Sequence, residues 1–81
     1  MPHLLRGDML VRDDRESGHF QLWLVTDPGA PLEHQRLVDA VATTSLDVAC
    51  ASALTGVAGE NRVWIQDDAG SLREYEAPEN D

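Results

Sequence analysis

Apolar and polar residues alternate at a period of two over His19–Thr26: Phe20, Leu22 and Leu24 fall on one side, Gln21, Trp23 and Val25 on the other. That is the pattern of a strand with one face on a core. A shorter apolar run, Met9–Arg12, precedes it and stops at Asp13-Asp14-Arg15-Glu16-Ser17-Gly18, a polar stretch ending in glycine that suits a hairpin loop. Towards the C-terminus Arg62–Gln66 alternates again, with Val63 and Ile65 against Trp64 and Gln66. Asp67-Asp68-Ala69-Gly70 then makes a tight connection to a returning strand, Leu72–Glu76.

Between the two hairpins the period changes. Pro28-Gly29 is turn chemistry, and Pro31 suits the first position of a helix, where its missing N–H costs nothing. Leu37, Val38, Val41 and Ala42 recur at three- and four-residue spacing, which predicts a helix from Leu32 onwards. Thr43-Thr44-Ser45 are mediocre helix formers and good caps, and Thr44 with Asp47 has capping-box spacing. Leu46–Thr55 reads either as a strand or as a helix with Leu46, Ala49, Cys50 and Ala53 on one face; its alanines favour helix. Gly56–Asn61 is a helix stop and linker.

The expected architecture is α+β: β-β-α-β-β order, an antiparallel sheet, and one long or kinked helix, or two helices, on one of its faces. Residues 1–81 form one domain with a core over about 9–76, and 1–7 and 77–81 are expected to be flexible ends. An 81-residue chain has room for one modest core, and 42% apolar composition is enough to fold it.

Charge narrows the functional classes. Six basic residues, all arginine, stand against fifteen acids, for a net charge of −9. Residues 1–40 hold four arginines and seven acids; residues 41–81 hold two and eight. No cationic cluster exists to replace phosphate counterions, so direct nucleic-acid binding is not expected, nor is an anionic membrane surface. The all-arginine, alanine-, valine- and aspartate-rich composition fits a GC-rich bacterial or phage genome. The absence of a signal-peptide pattern, of a long apolar run and of a second cysteine points to the cytoplasm.

Candidate chemistry is sparse. Cys50 has no cation adjacent in sequence to lower its pKa and reads as a core residue. His3, His19 and His34 lack metal-pair spacing, and read from Asp13 a calcium loop fails, with Arg15, Ser17 and Leu24 at ligand positions. Gly56 and Gly59 lack the lysine of a phosphate loop. No catalytic residue, cofactor or metal is assigned.

The remaining signal is aromatic. Trp23 and Trp64 both have opposite parity to the aliphatic residues of their strands, so both are expected on the sheet face away from the helix, with Gln21 and Gln66 beside them as a wettable rim. This makes Trp23, Trp64, Gln21 and Gln66 the expected contact residues of a non-enzymatic interaction domain that binds a protein partner or a second copy of itself. An alternative is an acidic inhibitor that imitates nucleic acid and occupies a basic groove on a nucleic-acid-handling or defence protein; in size and charge the chain resembles anti-restriction and anti-CRISPR proteins. A small enzyme or ligand carrier is the third reading.

Overall fold

The computed structural model describes residues 3–76; the expected flexible tail at 77–81 lies outside them. The strands are β1 (Met9–Asp14), β2 (His19–Leu24), β3 (Arg36–Val41), β4 (Val63–Gln66) and β5 (Leu72–Glu74), with one helix, α1 (Leu46–Leu54), before β4. They form a single sheet in the order β3-β2-β1-β4-β5. The protein is therefore α+β, one helix packed on a five-stranded sheet, an order consistent with β-β-α-β-β plus an edge strand ahead of the helix.

Both hairpins form where the turn residues place them. Gly18 (φ +73) and Gly70 (φ +84) adopt the left-handed conformation that glycine tolerates without a Cβ penalty. Their N–H groups donate to the Asp14 and Asp67 carbonyls, each at 3.0 Å. The two hairpins meet through β1 and β4, which run parallel with Met9 opposite Val63 and Val11 opposite Ile65. This makes the sheet mixed, where an all-antiparallel one was expected. Turn chemistry determines pairing within a hairpin, whereas pairing between hairpins depends on which edges the crossover through α1 brings together.

One face of the sheet carries the core. Met9, Val11, Phe20, Leu22, Val63 and Ile65 pack against Ala49, Cys50 and Ala53 of α1. Small side chains on the helix let it lie close to the larger ones of the sheet. Ser45 is its N-cap, one residue beyond the expected Thr44, and its hydroxyl accepts from the Val48 N–H at 3.3 Å.

The helix expected from Leu32 starts instead at Leu46. Pro31 does open a helical turn, but it is a single 3-10 turn, Leu32–His34. Gln35 then closes the preceding loop as a buried staple. Its Oε1 accepts from the Thr26 and Asp27 N–H groups at 2.8 and 2.9 Å, and its Nε2 donates to the Asp27 and Ala30 carbonyls. Arg36–Val41 continues as a strand, gaining a backbone ladder on β2. The helical spacing of Leu37, Val38 and Val41 did not mark one buried face, since Leu37 and Val38 remain 49% and 43% exposed while Val41 packs against the core.

Candidate functional site

α1 covers one face of the sheet and leaves the other to shorter segments. Register places two rows of side chains across that second face. The first runs Glu74, Trp64, Leu10, Trp23, Leu37; the second runs Leu72, Gln66, Arg12, Gln21, Ala40. The structure thus brings together all four residues singled out in the sequence, with Leu10 between the indoles and Arg12 between the glutamines.

The two tryptophans differ in environment. Trp64 is only 8% exposed, and its indole N–H donates to Asp8 Oδ2 at 2.8 Å. It is buried, like its cross-strand neighbour Leu10, and is not the open contact residue expected of it. Trp23 is half-buried, its indole N–H donating to Gln21 Oε1 at 3.2 Å. Gln21 in turn donates to Asp14 Oδ2 at 3.4 Å. Of the two rings, Trp23 is the more exposed.

Beside Trp23 lies an open groove of about 570 Å³. The sheet contributes Arg12, Trp23 and Gln66, the 3-10 turn contributes Leu32 and Glu33, and the β4–β5 turn contributes Asp67 and Asp68. Arg12 is exposed and has no ion-pair partner among the described residues. By contrast, Asp68 is paired with Arg15, which links the two hairpin loops at one end of the sheet. Asp67 Oδ1 accepts from the Ala69 and Ser71 N–H groups. Arg12 was legible from strand parity, being opposite in phase to Met9 and Val11. Leu37, Leu32 and Glu33 were not, because their segment read as helix.

Asp8 organises the edge of this face. Its side chain is fully buried and has no cationic partner among the described residues. Oδ1 accepts from Asn61 Nδ2 and the Arg62 N–H, both at 2.9 Å, and Oδ2 accepts from the Leu5 N–H at 3.0 Å and from Trp64. Burial pushes its pKa up, but the bonds from Asn61, Leu5, Arg62 and Trp64 together outweigh burial and hold the carboxyl below its ordinary value. Leu5 and Gly7, within the segment expected to be loose, are thereby tied to the domain, with Gly7 N–H donating to the Val25 carbonyl at 2.9 Å.

Among the described residues no group of three or more His, Cys, Asp or Glu could hold a metal ion. No helix among them is long and apolar enough to cross a membrane. Cys50 is fully buried on the sheet-facing side of α1, away from the groove, and burial, aided by Asp47, pushes its thiol up to about 11. The thiol is protonated at neutral pH and shielded from solvent. Native protein should react with a neutral-pH thiol reagent only as fast as it opens, with stoichiometric labelling in denaturant. Rapid labelling of the folded protein would contradict a packing role for Cys50.

Comparison with known protein families, with curated proteins and with solved structures returns no match.

Proposed function

We propose that this is a non-enzymatic protein-interaction domain that docks a partner on the helix-free face of its sheet, around Trp23. The observation that carries the reading is the open groove beside the half-buried Trp23. A rigid aromatic at the centre of a patch, with Gln21, Gln66 and Arg12 around it, has the composition of an interface hot spot and its polar rim. We place the domain in the cytoplasm, where a lone reduced cysteine is the ordinary state.

A second reading draws on the end of the sheet where Arg15 joins the two hairpin loops, since this gathers Asp13, Asp14, Glu16, Asp67 and Asp68. Such an acidic end could occupy a basic groove on a nucleic-acid-handling protein. Affinity capture at two salt concentrations, with wild type and Trp23→Ala side by side, separates the two. A Trp-centred contact survives moderate salt and weakens at least about tenfold in Trp23→Ala, as loss of a hot-spot aromatic does. Capture that collapses with salt and ignores Trp23 would overturn the first reading in favour of the second.

A further inference from the structure

β3 is an open edge of the sheet, six residues long against three for the opposite edge, β5. An unpaired edge presents backbone N–H and C=O groups to any strand that fits. The pairing of β3 with β2 is irregular: Leu22 stands opposite Asp39 and Trp23 opposite Leu37, so Val38 is an extra residue. In a regular strand, residues three apart face opposite sides. Here the bulge brings Arg36, opposite Leu24, and Asp39, opposite Leu22, onto the same side, the one that carries α1. Neither has an ion-pair partner among the described residues.

We infer that β3 is a homodimer seam, pairing antiparallel with β3 of a second copy about a two-fold axis between Leu37 and Val38. In that register Arg36 of each copy faces Asp39 of the other, and the exposed Leu37 and Val38 of both meet at the centre. The bulge selects the occupant. It guards the edge against a regular strand, whose alternation would fall out of phase, while a second copy carries the matching irregularity. Charge agrees: in a chain of net −9, β3 holds one arginine and one aspartate, so two copies approach here across a locally neutral edge. A two-fold axis perpendicular to the sheet leaves both Trp23 grooves on one side of the extended sheet. The seam itself does not depend on what binds at Trp23.

Sedimentation equilibrium over a concentration series tests the seam, with circular dichroism confirming that each variant is folded. Wild type should dimerise. Arg36→Asp and Asp39→Arg should each weaken the dimer roughly tenfold, since two cross-strand attractions become repulsions. The double variant, with the charges exchanged, should return close to wild type, and Trp23→Ala should leave the dimer in place. A monomer at every concentration, single variants without effect, or a double variant no better than the singles would overturn the proposal. So would a dimer lost in Trp23→Ala but indifferent to both charge reversals, because its seam would be the Trp face.

Discussion

Asp8→Ala is expected to cost about 3 to 5 kcal/mol of unfolding free energy, because four donors, the buried Trp64 indole N–H among them, lose a charged acceptor. Those donors are the Leu5 and Arg62 N–H groups, Asn61 Nδ2 and Trp64 Nε1. A domain of this size has about 4 to 12 kcal/mol in total, so this one change removes a large share of it. Asp8→Asn should be intermediate. Its amide oxygen can keep two of the bonds, while its amide nitrogen turns a donor towards donors.

The pH dependence follows from the same geometry. Because the folded carboxyl titrates below its unfolded value, Asp8 contributes its stability above the ordinary carboxylate range. That contribution is lost as pH falls from about 4, the unfolded value, through the lower folded one. Urea melts should therefore show the gap between wild type and Asp8→Asn narrowing as pH falls through that window. A gap that stays constant would mean that the Asp8 carboxylate is not what the four donors stabilise.

The second large effect is at Trp64. Trp64→Ala should cost about 3 to 5 kcal/mol, the range for removing a buried aromatic. Trp64→Phe keeps most of the ring and loses the bond to Asp8, so it should cost about 1 kcal/mol or somewhat more. Asp8→Ala and Trp64→Phe should be less than additive, since each deletes the same hydrogen bond. By comparison, Trp23→Ala should cost under about 1.5 kcal/mol, with its main effect on binding. Equal costs at Trp23 and Trp64 in denaturant melts would show that both rings are core and would leave the docking face without its anchor.

These two positions also mark how far the sequence reaches. The alternation of His19–Leu24 and of Val63–Gln66 was sufficient to put both tryptophans on one face, because strand parity is a local property of the backbone. It could not say which ring is buried and which is the more exposed. That depends on Asp8, 56 residues from Trp64 along the chain, and on the N-terminal turn that Asp8 holds against β4.

The same division runs through the fold. Turn residues, strand alternation and the small-residue face of Leu46–Leu54 are short-range signals, and from them the sequence by itself determined an α+β domain of two hairpins and a helix. Leu32–Val41 shows where such signals stop. Leu37, Val38 and Val41 have helical spacing, yet a helix there would leave β2 without a neighbour on that side and would take Gln35 from the loop it staples. Only the tertiary structure decided for a strand, because the backbone ladder on β2 is made with residues outside the window in which helical spacing is read, and the Gln35 bonds form only when the loop from Thr26 to Pro31 folds back on it. The parallel pairing of β1 with β4, the bulge at Val38 that aligns Arg36 with Asp39, and the burial of Asp8 were decided in the same way, by contacts that exist only once the chain has closed on itself.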